Sequence, residues 1–300
     1  GTRASSETRR PSARARQSPY SRHDGTLPRS QAAWNQGAAA VWLRARSLHG
    51  QAGGGLVLAD PHLPRAGHQA LLDSTLDAPL PALPGTRLEG EFMAKRAGFS
   101  GIKIFSGENA TEHQIKNLPA ASTRLIHFGT HALVDPEHSK HSAVLLAAGN
   151  GDDGLLQASE IESLDLTGMV AVLASCASAT GQWLDTEGVL GLARSFMIAG
   201  APAVIATRWP VSDHAAAAYF TRMYLYLGRG TSLDQAMRQA RADLADAGFP
   251  PRAWSAYVLI GDGAGKPLAI KPRWPGVLLI ALALGLLAAA IGRARTDRRA

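Results

Sequence analysis

The sequence predicts an α/β domain: a mostly parallel β-sheet covered by helices on both faces. Three observations predict it. Short apolar runs recur along the chain, among them "GLVLADP" (55–61), "TRLIHFGTHA" (123–132) and "MVAVLASC" (169–176). They are too apolar to face water on one side, as strands buried on both faces must be. Stretches with helical patterning separate them, and that alternation is the signature of parallel strands joined by crossover helices. With 300 residues and 46% hydrophobic content, the chain can bury a core as one large or two small domains.

The elements follow in order. Residues 1–37 are rich in Arg, Ser, Gln, Gly and Ala without apolar period, which predicts a disordered or non-native segment. "AAAVWLRARSLHG" (38–50) leads into strand 55–61, which Asp60-Pro61 ends. Residues 62–86 are Pro-rich and loop-like. "TRLEGEFMAKRAG" (86–98) predicts a helix with Leu88, Phe92 and Met93 inward and Gly98 as its stop. A strand at 101–107 precedes a helix over 109–119, capped by Thr111 and stopped before Pro119. After strand 123–132, residues 142–164 read as a hairpin around Gly149–Gly154 and a capped helix from Ser159. Strand 169–176 and helix 187–201 follow, then strand 202–211. A helix over 212–230 starts at Ser212 or Asp213, and another over 232–248 has Ser232 as N-cap and Gly248 as stop. "WSAYVLIGDG" (254–263) is the last strand of the domain.

The net charge of +7 does not mark a nucleic-acid binder. Residues 1–30 carry +5 and residues 293–300 carry +3, so the 262 residues between them carry −1. A nucleic-acid domain concentrates its positive charge on the folded body. Residues 274–292 are a different signal. They include fifteen unbroken apolar or glycine residues, 277–291, and span about 28 Å as a helix, enough for a bilayer core. Trp274 suits one interface and the arginine tail 293–300 the other, so a single-pass C-terminal membrane anchor is expected, joined by a linker at 264–273. The chain opens on Gly1 and its first methionine is Met93, as expected of a fragment or processed piece.

Chemistry concentrates at the carboxyl ends of the strands, where open α/β sheets bind ligands. Cys176 is the only cysteine, so the chain holds no intrachain disulfide. By itself such a thiol is either a small buried side chain or a nucleophile. A nucleophilic cysteine needs a base, and His131 ends another strand 45 residues upstream. His127 shares its face of that strand but lies inside it, where a satisfied core histidine is expected. His127 and His131 lack the helical Glu and third ligand of a zinc site, so no metal is expected. The glycines of "GGGLVLADP" precede their strand, which removes the phosphate-loop reading of a nucleotide enzyme.

In order, "RLIHFGTHA", "VLASCASATG", "EGVLGLARSFMIAGAPAVIATRWPVSD" and "WSAYVLIGDG" closely resemble the CHAT domain, a caspase-like peptidase module often found with TPR repeats. The resemblance runs from about Val41 to Asp262 and makes 38–263 the domain. It implies a caspase-like fold and a cysteine endopeptidase cleaving a protein substrate, with His131 as general base and Cys176 as nucleophile. Backbone N–H groups of Ala132 and Cys176 would form the oxyanion hole. Asp213 stands where the family commonly has an acid, to read a basic substrate side chain or to cap the next helix; Trp209 would line the same pocket or pack. The implied partners are a protein substrate, upstream TPR repeats or another regulator, and the lipid bilayer, with no cofactor and no nucleic acid. Two departures point to the alternative of an inactive interaction scaffold. Ala132 replaces the glycine usual after the histidine, and Cys176-Ala177-Ser178 lacks the usual acid. A third is that residues 1–37 do not resemble the family's first strand, which predicts an incomplete sheet edge.

Overall fold

The computed structural model describes residues 52–63, 80–133, 140, 142–174 and 186–271, together with 284 and 286. Its central sheet has six strands: β1 (Gly54–Pro61), β2 (Ile102–Gly107), β3 (Thr123–Gly129), then β7 (Val170–Leu173), β8 (Ala203–Thr207) and β9 (Tyr257–Gly261). The order is β2-β1-β3-β7-β8-β9. All neighbours are parallel except β8 and β9. The expected sheet is thus present, and the most apolar strand, β7, lies inside it. A second, antiparallel sheet of β4 (Ala132–Leu133), β5 (Ala143–Leu145) and β6 (Leu155–Gln157) grows from the carboxyl end of β3.

Alternate residues of the strands face opposite layers, as the pleat requires. Leu56, Leu58, Ile126, Phe128, Ala171, Leu173, Val204 and Ala206 form one buried cluster. It includes Ile161 of α3 (Ala158–Glu162) and Phe196 of α4 (Thr186–Ile198). Phe196 meets Phe128 edge-on at 5.2 Å. Val57, Leu125, Val172 and Ile205 face the other layer. There they pack with Met93 of α1 (Pro84–Lys95), Tyr219, Phe220 and Tyr224 of α5 (Asp213–Leu227), and Leu233 of α6 (Leu233–Asp246).

Several local expectations change. Leu88 is 64% exposed, not inward. The buried face of α1 is Gly85, Thr86, Glu89, Gly90 and Met93. The helix lies so close to the sheet that a Cβ on Gly90 would sit 3.0 Å from Val57 Cγ1, so the small Gly90 faces inward. The helix expected over 109–119 shortens to α2 (His113–Lys116), with Glu112 and not Thr111 at its N-cap. Thr111 instead bridges to Ala147. Glu112 and Lys116 are occupied elsewhere: Lys116 Nζ contacts Glu112, Asp152 and Glu160 at 2.7, 2.9 and 3.0 Å, tying α2 to the β5–β6 turn and α3. That turn is the expected hairpin, with Asn150 (φ 58°) and Gly151 (φ 92°) in the left-handed region at its tip. The helix after it starts at Ala158, with Gln157 and Glu160 as a capping box. Ser232 caps α6 as expected, and of the two starts open for α5 it is Ser212 that caps it.

Residues 1–37, the element at 38–50 and nearly all of the expected membrane span lie outside the described residues. Among the described residues no helix is long and apolar enough to cross a membrane.

Candidate functional site

Strand β3 ends at Gly129, short of the expected 132, because the chain turns there into the second sheet. That turn places and fixes His131. Leu145 N–H donates to His131 O at 2.9 Å, and the Thr130 hydroxyl donates to Leu145 O. The Leu145 bond also defines the β4–β5 ladder. Ala132 and Val144 face each other as a non-hydrogen-bonded pair, so the Ala132 N–H is turned away from β5.

The His131 side chain is only 3% exposed. Its Nε2 lies 2.8 Å from Pro81 O. A carbonyl can only accept, so Nε2 carries a hydrogen. Gly129 keeps the approach to this turn narrow, because a Cβ there would lie 2.5 Å from Thr86 Cβ on α1. Gly129→Ala is therefore expected to lower stability by about 1–3 kcal/mol through overpacking, read as a lower melting temperature.

Cys176 lies outside the described residues, but the strand leading to it does not. Leu125, Ile126, His127 and Phe128 of β3 pair with Val170, Ala171, Val172 and Leu173 of β7, a constant offset of 45 residues. Ala174 N–H extends the ladder to Phe128 O at 3.0 Å. The same offset separates His131 from Cys176.

Asp213 and Trp209 are engaged elsewhere. Asp213 is not the cap of α5; Ser212 is, through its Oγ and Ala215 N–H. Asp213 instead accepts the Gly85 N–H at 2.7 Å, supplying a negative charge to the start of α1, which has no acid in its own first turn. Trp209 donates from Nε1 to Arg252 O at 2.8 Å and packs against the α5 side of the core. Neither lines the cavity that His131 borders.

That cavity has a volume of about 490 Å³. Besides His131, its wall includes Asp60, Arg87, Leu80, Pro81 and Leu83. Asp60 and Arg87 were not singled out from the sequence. The signal available was the position of Asp60 at the carboxyl end of β1, the same logic that selects His131 and Cys176.

His127 is a buried, partnered core residue as expected. Its Nε2 lies 2.6 Å from Glu89 Oε2 and its Nδ1 2.7 Å from Tyr224 Oη, with all three side chains fully buried. Burial raises the Glu89 carboxyl above its ordinary value; His127 opposes the rise and the Asp213 charge adds to it.

The CHAT domain family model matches residues 3–262. The chain belongs to the CHAT domain family. Among curated proteins, it is 25% identical over 241 residues to tetratricopeptide repeat protein 28 of Homo sapiens, covering 69% of this chain and 9% of that protein. The Mus musculus protein of that name is 26% identical over 243 residues, with the same coverage. The chain thus spans about a tenth of the length of these relatives. Among solved structures, it is similar to the Arg-specific cysteine proteinase gingipain R, with a TM-score of 0.45 and 13% identity over 74% of this chain and 49% of that one. It is also similar to the Saccharomyces cerevisiae separase–securin complex, at 0.39 and 12% over 70% and 12%.

Proposed function

We propose that this chain is a caspase-like cysteine endopeptidase that uses His131 and Cys176. The supporting observation is the β3–β7 register, whose 45-residue offset is that of the two residues. Neighbouring parallel strands are about 4.8 Å apart, so β3 and β7 run side by side toward the segments that carry the two residues. His131, fixed by Pro81 O and Leu145 N–H, takes the thiol proton at Nδ1. The thiolate attacks the peptide carbonyl, and the Ala132 and Cys176 N–H groups stabilise the oxyanion. His131 gives the proton to the leaving amine, and water then hydrolyses the thioester. Ala132 is compatible with this role, because its N–H is not spent on the ladder with Val144.

The substrate is a protein. The names of the curated relatives support a tetratricopeptide-repeat element, upstream or on a partner, as regulator. Residues 274–292 anchor the domain to a membrane. The test is an electrophilic peptide probe on the full chain in detergent, with tryptic mapping of the label. Labelling at Cys176 that is strongly slowed in His131→Ala is expected. A folded chain that neither labels at Cys176 nor cuts any protein, with or without a repeat partner, would leave a scaffold in place of the peptidase.

A further inference from the structure

The cavity beside His131 is built around a partly buried carboxylate, that of Asp60. Strand β1 breaks register between Ala59 and Pro61, and Asp60 between them has φ 45°, rare for a residue with a Cβ. Such irregularities at strand ends re-aim a side chain. Here both Asp60 oxygens are spent: Oδ1 accepts the Leu83 N–H at 2.9 Å and Oδ2 lies 2.9 Å from Arg87 Nε. The Asp60 side chain is 16% exposed and that of Arg87 52%. The Arg87 guanidinium beside Asp60 offsets the carboxylate's pull on a basic ligand. Held through Nε, it keeps its two terminal nitrogens, which match a carboxylate as a planar fork. Nη2 reaches over the end of β2, 4.0 Å from where a Cβ on Gly107 would stand. Leu80, Pro81 and Leu83 give the cavity aliphatic walls. At its rim His62 faces Glu108 at 3.7 Å, both largely in solvent, where charge is well screened.

We infer that this cavity is a substrate subsite for an acidic side chain, aspartate or glutamate, whose carboxylate is read by Arg87, with Asp60 as the residue that positions Arg87. The inference rests on the peptidase reading only for the identity of the ligand as a peptide. The pair is preorganised, so little side-chain entropy is lost when the ligand arrives. An amide of the same shape has no negative charge and offers the fork one acceptor where a carboxylate offers two.

The experiment uses the full chain carrying Cys176→Ala, so that binding is read without turnover. Fluorescein-labelled alanine pentapeptides carry Asp, Asn or Arg at each position in turn, and affinity is read by anisotropy. At one position the Asp peptide is expected to bind about tenfold tighter than the Asn peptide. Arg87→Gln should reduce that ratio to about twofold or less, Arg87→Lys should keep part of it, and Asp60→Asn should lower it. Melting temperatures of the variants check that the domain stays folded. The inference is overturned if no peptide binds, if no position prefers Asp, if Arg is preferred, or if Arg87→Gln keeps the preference. Acid selectivity in a chain that hydrolyses nothing sinks the peptidase alone; hydrolysis without acid selectivity sinks the subsite alone.

Discussion

In His131→Ala, kcat/KM for peptide hydrolysis is expected to fall about 10²- to 10⁴-fold, the usual contribution of a positioned general base. The loss should sit in kcat, because the ring acts on the proton and not on substrate binding. Some activity should remain, since a few per cent of an ordinary thiol is ionised at neutral pH. Cys176→Ala should remove hydrolysis altogether, and the double variant should be no worse than that single one, because the two residues act as a unit. Folding needs its own check: the ring is buried and donates to Pro81 O, and an orphaned carbonyl costs about 1–3 kcal/mol. His131→Gln separates the effects, since an amide can donate to Pro81 O but is no base at neutral pH. It should melt closer to the native chain than His131→Ala while being as slow. Hydrolysis by His131→Gln at the native rate would refute the assignment.

What the sequence showed, and what it did not, divides along physical lines. Period and breakers located the strands, because a strand buried on both faces has little room for polar residues, and β7 with its four buried residues is the clearest case. The position of His131 followed from the strand-end rule. Its anchor, the Pro81 carbonyl 50 residues away, carries no side-chain signature at all. Helix α1 shows a different failure. Leu88 and Phe92 stand four apart and suggest a core face; Phe92 does pack against the core, but the helix turns Glu89 and Gly90 inward and leaves Leu88 in solvent. Glu89 can go inside only because His127 waits for it on β3, and that pairing is not local. Asp213 was expected to read a basic substrate side chain or to cap its own helix. Its partner is the start of α1, 128 residues earlier, and Gly85 allows the approach: a Cβ there would lie 2.7 Å from the carboxylate.

The largest stability effect is expected at Glu89. Its contact with His127 joins α1 to β3, and the Tyr224 hydroxyl joins β3 to α5, with no solvent to replace any lost partner. Glu89→Ala should destabilise the domain by about 3–5 kcal/mol, the usual cost of orphaning one member of a buried pair. For a domain of this size that is a fall in melting temperature of about 6–20 °C. Replacing the whole group, with Glu89→Leu, His127→Leu and Tyr224→Phe together, should recover most of the loss, because no polar atom of the three is then left unpaired. The pH dependence gives a second check. Burial, helped by the Asp213 charge, holds the folded-state value of Glu89 above the ordinary 4.5, against the pull of His127. A raised carboxyl favours its protonated form in the fold, so its contribution is full below 4.5 and is lost as pH rises through the raised value. Glu89→Gln removes that titration. Subtracting the urea midpoints of native and Glu89→Gln chains across pH should leave a difference that falls with pH in this window, while slopes from other groups cancel. A flat difference would show that Glu89 does not titrate as its burial demands. The effect should also reach the site, because the first turns of α1 carry Arg87 and begin beside Asp60. A domain loosened at Glu89 should lose peptide selectivity at the Arg87 cavity before it loses the sheet that carries His131.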